Sequence, residues 1–161
     1  MVPFNAMGKI HDRLVDLGVS LPAAPTPVAA YVPFVTAGRL VFISGQIPLR
    51  DGKLIAAGSV PSVISVDEAR AAAHQCALNA LAVLASALEG DLDRVERIVR
   101  LGVFVCSDPG FTDQPTVANG ASEFLVEVFG EHGRHARAAV GSVALPLGAA
   151  VEVEMTAMIA E

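Results

Sequence analysis

The most regular alternation of apolar and polar residues lies near the end of the chain, in residues 151–159. The apolar positions are Val151, Val153, Met155, Ala157 and Ile159, and the polar positions between them are Glu152, Glu154 and Thr156. This period of two predicts a β-strand with one apolar face, so both carboxylates point to the same side. A second extended run precedes the turn Leu145-Pro146-Leu147-Gly148 and carries Arg137.

Helical periodicity predicts two long helices in the middle of the chain. The first begins at residue 66, where Ser65 and Glu68 form a capping box, and ends before Gly90. Its apolar stripe consists of Ala69, Ala73, Cys76, Ala77, Ala80, Leu84 and Leu88. The second helix begins near Thr112 and ends at Gly130. Its apolar stripe consists of Val117, Ala121, Phe124, Leu125 and Val128. Both stripes predict packing against a sheet.

Extended segments surround these helices. Residues 98–106 (IVRLGVFVC) are almost all apolar β-formers, which predicts a strand covered on both faces. Residues 28–36 and 39–46 are predicted to form a hairpin around Ala37-Gly38, and residues 53–56 a short edge strand. The element order is therefore strand, helix, strand, helix, strand, strand, preceded by a hairpin partner.

This order predicts a single α+β domain over residues 1–161, with a mixed sheet and two helices on one of its faces. The core covers residues 28–161, and residues 1–27 contain a short amphipathic helix at 7–17 followed by a proline-rich arm. The other face of the sheet must be covered by neighbouring subunits or by water. Because the chain is strongly apolar, neighbouring subunits are favoured.

Composition narrows the class of protein. Hydrophobic residues make up 53% of the 161 residues and charged residues 17%, yet no apolar run is long enough to span a membrane. An oligomer explains this balance better. The net charge of −6, without a basic cluster, disfavours nucleic acid as a partner. The absence of a signal peptide and of a disulfide framework predicts a cytoplasmic protein.

The sequence contains no pattern for a metal site or a nucleotide cofactor: HExxH, CxxC, GxGxxG and the P-loop are all absent. We therefore expect neither. His132 and His135 lie beside arginines, where they could help to attract an anion, but they are expected to be exposed loop residues. No serine or cysteine has a nucleophile motif around it, so any chemistry is expected to use activated water.

Arg137, Glu152 and Glu154 are the candidate chemical groups. An arginine offers a planar fork that grips a carboxylate with two bonds, and a glutamate can accept a proton from water. Together they suit hydrolysis of a small compound that bears a carboxylate. The alternative interpretation is a solvent-facing side of a strand with scattered charges.

Four segments resemble one known family. They are YVPFVTAGRLVFISGQIP (31–48), IVRLGVFV (98–105), the helix around Val117-Ala118-Asn119, and HARAAVGSVALPLGAAVEVEM (135–155). With these segments the chain, from near residue 29 to its end, resembles a longer-chain branch of the RidA/YjgF family of reactive imine and enamine deaminases.

The resemblance implies a chorismate-mutase-like fold, assembled as a homotrimer whose clefts lie between subunits. It implies that Arg137 grips the substrate carboxylate and that Glu152 positions or activates water. Tyr31 and Gly45 are expected to line the cleft, and Asn119 matches a further substrate-binding position. Many family members carry a cysteine where this chain has Ala139, which bears on substrate preference rather than on water-based hydrolysis.

The resemblance also implies a strand arrangement. If the last two strands formed a hairpin, Arg137 would lie roughly 16 Å beyond the position opposite Glu152. The family fold instead inserts the last strand between two others, in the order 1-4-2-3, so we expect no hairpin. Glu154 is expected to be a charge at the rim of the cleft or at the subunit interface, where an arginine of another subunit could pair with it.

These observations lead to one principal expectation, the hydrolysis of small 2-imino or 2-enamino acids to 2-oxo acids and ammonia. A second hypothesis is a trimer that binds or senses small carboxylate metabolites without converting them. A third, ribonuclease activity or inhibition of translation, is disfavoured by the acidic charge balance.

Overall fold

The computed structural model describes residues 8–24 and 30–161. Its α-helices are α1 (Lys9–Asp16), α2 (Val66–Ala87) and α3 (Gln114–Phe129). Its strands are β1 (Phe34–Ala37), β2 (Leu40–Gln46), β3 (Leu49–Arg50), β4 (Lys53–Leu54), β5 (Val95–Cys106), β6 (Ala136–Ser142) and β7 (Val151–Ile159). In this part of the chain, none of the helices combines the length and apolar character that a membrane span needs.

Five of the strands form one mixed sheet, in the order β1-β2-β7-β5-β6. β5 and β6 run parallel, and the other neighbours are antiparallel. The last strand is thus inserted between β2 and β5, which confirms the expected order, and β6 and β7 do not form a hairpin. The link Pro146–Gly148 instead carries the chain past β5. The expected edge strand pairs with residues 49–50 in a separate small hairpin, β3-β4.

Both long helices pack on one face of the sheet. The predicted capping box is present, since Ser65 Oγ accepts from the Glu68 amide and the Glu68 side chain accepts from the Ser65 amide. Every residue of the two predicted apolar stripes is buried. The helices approach each other closely at Gly120, where a Cβ would lie 2.0 Å from the carbonyl oxygen of Arg70. The small residues of these helices therefore set how near they lie.

The opposite face of the sheet is open in the single chain. Residues 98–106 were expected to be covered on both faces, but Arg100 is exposed and Phe104 half-buried. Val35, Phe42 and Val140 on the same face are 53%, 45% and 46% exposed. The difference arises because this chain supplies only one helical layer. The open face is therefore a partly apolar surface.

The N-terminal helix α1 begins at Lys9 and ends one residue before the predicted end at Leu17, and Met7, where the predicted helix begins, lies outside the described residues. Its first amides, those of Lys9 and Ile10, donate to the two carboxylate oxygens of Asp93 at 2.8 Å each. Arg13 Nε donates to the Glu127 carbonyl at the end of α3, and Leu14 is buried. These contacts fix α1 against the body of the domain.

Two predicted segments differ from the structure or extend beyond it. β1 begins at Phe34 rather than at residue 28, because residues 30–33 form bends. Residues 25–27 of the predicted proline-rich arm, and residues 28–29 of the predicted strand, lie outside the described residues. Before that gap, Leu21 and Ala24 pack against the core.

Candidate functional site

The candidate residues fall into two groups. We call Arg137, Asn119, Ser122 and His135 the arginine cluster, because hydrogen bonds connect all four. We call Glu152 and Glu154, which lie over Gly45 and Gly102, the carboxylate cluster.

In the arginine cluster, Arg137 lies on β6, the edge strand of the sheet. It is in register with the buried Leu101 of β5, so its side chain points to the helix-covered face. Its Nη1 donates to Asn119 Oδ1 at 2.9 Å and to Ser122 Oγ at 3.1 Å, and its Nη2 donates to the Pro115 carbonyl at 3.4 Å. No acceptor for its Nε–H is found among residues 8–24 and 30–161. The guanidinium is therefore held by α3 with one donor side left for a ligand.

His135 lies in a loop, as expected, but the expectation that it is exposed is wrong. The ring is half-buried, with Nε2 2.9 Å from Ser122 Oγ and Nδ1 2.6 Å from the Gly133 carbonyl oxygen. Burial lowers the pKa of His135, the hydrogen bond to the Gly133 carbonyl partly offsets this, and the positive charge of Arg137 lowers the pKa further. The imidazole is therefore neutral near pH 7.

His132 and Ala139 complete this side of the sheet. His132 is exposed, as predicted, and its Nδ1 lies 2.7 Å from the Glu96 carbonyl oxygen. Ala139 follows Arg137 by two residues on β6, so it shares the helix-covered face and packs partly against the core.

In the carboxylate cluster, Glu152 lies against the backbone of β2. A Cβ added at Gly45 would lie 2.0 Å from Glu152 Oε1, so the carboxylate occupies the space that any other residue at 45 would fill. Partial burial raises the pKa of Glu152, and the charge of Glu154 raises it further. Its carboxylate accepts no hydrogen bond from the part of the chain that the structure describes. Such a carboxylate is suited to accept a proton.

Glu154 was expected to pair with an arginine of another subunit, but its partner is in its own chain. Its Oε1 accepts from Arg100 Nη1 at 3.0 Å, with both side chains about half exposed. The pair forms because β5 and β7 are adjacent and both residues project from the open face.

Tyr31 belongs to a segment that is hydrogen-bonded to β2 next to Gly45, beside the carboxylate cluster. Ser44, next to Gly45, donates its amide to the Pro33 carbonyl at 2.9 Å and its hydroxyl to the Val32 carbonyl at 2.7 Å. These bonds hold the segment that contains Tyr31 against β2. Tyr31 itself is 55% exposed, so its ring is available to a ligand or to another chain.

Within one chain, the two clusters lie on opposite faces of the sheet. Arg137 is in register with Leu101 and hence with Met155. Glu152 precedes Met155 by three residues, an odd number, so it projects from the other face. The structure thus brings Arg137 together with Asn119, and Glu152 together with Gly45, but it does not bring Arg137 and Glu152 together.

Sequence reasoning missed Ser122 and the contact that His135 makes. Neither belongs to a recognisable motif, and the 13-residue separation of Ser122 and His135 in sequence does not indicate that α3 packs beside β6. The only signal was the position of Ser122 three residues after Asn119, which is the spacing of one helical face. In the described residues, no three His, Cys, Asp or Glu side chains lie close enough together to hold a metal ion.

Comparison with known proteins identifies the family. The family model described as "YjgF/chorismate mutase-like, putative endoribonuclease" matches residues 11–159. The chain belongs to this YjgF family. The match covers both clusters and all the strands of the large sheet, so the YjgF fold is the frame in which the sites must be interpreted.

Two similar proteins of this family do not indicate a function. Protein TCP17 of Trypanosoma cruzi is 49% identical over 150 residues, which is 92% of this chain and 93% of TCP17. Atu1372 of Agrobacterium tumefaciens, a protein with unknown function, is 45% identical, with a TM-score of 0.88 over 94% of this chain and 92% of that one.

Two more distant relatives carry functional information. The 2-iminobutanoate/2-iminopropanoate deaminase of Dermatophagoides farinae is 29% identical over 141 residues, 88% of this chain and 94% of that protein. The Escherichia coli protein TdcF, solved with bound serine, is 26% identical, with a TM-score of 0.58 over 85% of this chain and 94% of that one.

Proposed function

We propose that this YjgF protein hydrolyses small 2-imino or 2-enamino acids to 2-oxo acids and ammonia, at clefts between the subunits of a homotrimer. The observation that carries the proposal is the way Arg137 is held. Three acceptors on α3 fix its guanidinium at the sheet edge and leave the Nε–H side for a carboxylate. Arginine is the side chain best suited to this planar recognition.

Glu152 supplies the second part of the chemistry. An imine carbon next to a carboxylate is already electrophilic, so a positioned water is enough to attack it. Glu152 takes a proton from that water as the C–O bond forms and the C=N π electrons move to nitrogen. Glu152 returns this proton to the nitrogen, which gives the carbinolamine. The hydroxyl proton of the carbinolamine then passes through Glu152 to the nitrogen as the C–N bond breaks, ammonia leaves, and the carbonyl of the 2-oxo acid forms. The raised pKa of Glu152 suits it to hold and return this proton.

A second copy of the chain would complete the site. Arg137 and Glu152 project from opposite faces, so a cleft containing both needs the arginine cluster of one subunit and the carboxylate cluster of another. The open, partly apolar face around Phe42 and Val140 offers a surface for that contact. Repeating the contact with closure gives a symmetric ring, which we propose to be a trimer.

The relatives agree with this substrate class. One YjgF relative bears the name of an imine deaminase, and another was solved with serine, an amino acid with a carboxylate. The two free cysteines suit the cytoplasm, where we place the reaction. We propose no role for RNA, because the net charge of −6 would repel it.

The test is ammonia release from 2-iminobutanoate, generated in the assay by an amino acid dehydratase or oxidase. We expect Arg137→Ala to lower kcat/KM on the order of 100-fold, because two hydrogen bonds to a charged carboxylate are lost. The matched control is Arg134→Ala, which removes an exposed arginine whose guanidinium pairs with Glu131 three residues away. It should retain full activity.

Two outcomes would contradict the proposal. Activity of Arg137→Ala equal to that of the unchanged protein would remove the assigned role of Arg137. A second contradicting outcome is saturable 2-oxo acid binding by calorimetry with no ammonia above the uncatalysed rate from any imine tested. It would favour a carboxylate-binding trimer without catalytic activity over the deaminase.

A further inference from the structure

We propose that Ser122 and His135 are positioning residues for the carboxylate-binding guanidinium of Arg137, acting through a directed chain of hydrogen bonds. This inference rests on the proposed function of Arg137. It assigns roles to two residues that do not contact the substrate.

The direction of each hydrogen bond follows from the Gly133 carbonyl, which stands at one end of the hydrogen-bond chain and can only accept. The carbonyl oxygen of Gly133 lies 2.6 Å from His135 Nδ1, so Nδ1 must carry the proton and donate. In the neutral ring Nε2 is then an acceptor, and it receives the hydroxyl proton of Ser122 across 2.9 Å. The hydroxyl lone pairs of Ser122 in turn face Arg137 Nη1 at 3.1 Å. Every donor therefore meets an acceptor.

The hydrogen-bond chain begins at a backbone group, the Gly133 carbonyl, whose position is fixed. A Cβ at Gly133 would lie 2.2 Å from the carbonyl oxygen of Leu125, so the loop is pressed against α3 at this residue. The Gly133 carbonyl that receives the His135 proton consequently has a fixed position. His135 precedes the first residue of β6 and Arg137 is the second, so ring and guanidinium share one rigid base.

The chain of hydrogen bonds controls which side of the Arg137 guanidinium faces the cleft. With Asn119 taking one Nη1 bond and Ser122 the other, the guanidinium plane cannot turn without losing an acceptor. Its Nε–H side then stays available for the carboxylate. Without Ser122 or the acceptor nitrogen of His135, the same arginine would be present but poorly oriented, and part of its binding energy would be spent on ordering it.

The surroundings of His135 keep the ring neutral. α3 presents the uncharged Ser122, the preceding loop presents a carbonyl, and the charge that acts on the ring is that of Arg137, two residues further along the chain. A positively charged ring would need an acceptor at Nε2 and would repel the guanidinium. The donor direction of the whole chain thus depends on a neutral His135.

The test compares matched variants in the ammonia assay. We expect Ser122→Ala and His135→Leu to raise KM about fivefold to twentyfold with kcat little changed, because carboxylate binding is weakened equally in substrate and transition state. Ser122→Thr keeps the hydroxyl and His135→Gln offers an amide oxygen as acceptor, so both should recover most of the affinity. In an Arg137→Ala background, Ser122→Ala should have no further effect.

The outcomes separate this inference from the proposed function. If Arg137→Ala loses activity while Ser122→Ala and His135→Leu do not, the relay is wrong and the deaminase proposal stands. If Arg137→Ala is fully active, the proposed function itself fails. Equal losses in Ser122→Ala and Ser122→Thr would indicate disturbed packing and overturn the relay.

A measurement on the unchanged protein protects the test against variants that do not fold. The nitrogen chemical shifts of His135 should show the tautomer protonated at Nδ1 near neutral pH. A ring protonated at Nε2 could not accept from Ser122 and would overturn the inference.

Discussion

The arginine cluster and the carboxylate cluster are built in opposite ways. Arg137 lies on an edge strand, yet its guanidinium is held by Asn119, Ser122 and Pro115 of the same chain. Glu152 lies on the central strand β7, yet its carboxylate lies against the Gly45 backbone, feels the negative charge of Glu154, and accepts no hydrogen bond from the described residues. The side chain of Arg137, on the edge strand, is thus held by hydrogen bonds, whereas that of Glu152, on the central strand, is not.

This difference follows from which face of the sheet each group occupies. The helix-covered face supplies polar partners from α3, so a charge there can be oriented before a ligand binds. On the open face Arg100 pairs with Glu154 and not with Glu152, so partial burial and the charge of Glu154 keep the pKa of Glu152 raised. In the proposed cleft the first group would bind the substrate and the second would do the chemistry.

The largest effect is expected from Glu152→Gln. The amide keeps the size of the side chain but cannot accept a proton from water, so kcat should fall about 10²- to 10⁴-fold with KM little changed. Steady-state ammonia release measures both. A variant with normal kcat would show that Glu152 is not the base.

The same substitution has a predicted effect on stability. Because the pKa of Glu152 is raised in the folded state, the fold binds its proton more tightly, and this group costs stability as pH rises through the unfolded and then the folded pKa. Glu152→Gln removes this cost. Its thermal midpoint at pH 7 should therefore equal or exceed that of the unchanged protein, and a clear decrease would contradict the assigned environment.

A pair of glycine substitutions distinguishes the two glutamates. Gly45→Ala places a Cβ 2.0 Å from Glu152 Oε1, and Gly102→Ala places one 2.5 Å from Glu154 Oε1. Each must displace its carboxylate. Because a shift of about 1 Å at a catalytic group costs up to 100-fold, Gly45→Ala should lose at least tenfold in kcat and Gly102→Ala much less. Size-exclusion chromatography checks that both keep the same assembly, and equal losses would count against a special role for Glu152.

A smaller effect is expected from Glu154→Gln. The charge of Glu154 raises the pKa of Glu152, so its removal should move the acidic limb of the kcat/KM profile to lower pH. The rate on the plateau should stay within about twofold, since the Arg100 pair is half exposed. Glu131→Gln, which alters an exposed pair elsewhere, is the control. An unmoved limb would mean that another group controls it.

The smallest effect on activity is expected at the N-terminal helix. Asp93→Ala removes the carboxylate that accepts the amides of Lys9 and Ile10, which costs about 0.5–2 kcal/mol and lowers the melting temperature by about 2–6 °C. Asp16→Ala, exposed at the far end of α1, should not lower it. Both variants should keep normal kcat/KM. A lower kcat/KM would indicate that α1 influences the site through α3.

The sequence alone determined the elements and their apolar faces. The alternation in residues 151–159, the stripes of the two long helices and the Ser65–Glu68 capping box all depend on neighbours within a few residues, so periodicity was sufficient. The resemblance added the inserted last strand, which local patterns cannot indicate. Arg137 and Glu152 were likewise identified as candidate residues from the sequence.

Only the tertiary structure decided how those positions relate to each other. The pairing of β5 with both β6 and β7 sets Arg137 and Glu152 on opposite faces, and this register depends on contacts between residues far apart in sequence. The same distant packing gave Glu154 an arginine of its own chain and placed the half-buried His135 against Ser122 of α3. Side-chain partners across an element boundary are fixed by packing geometry, which no local pattern encodes.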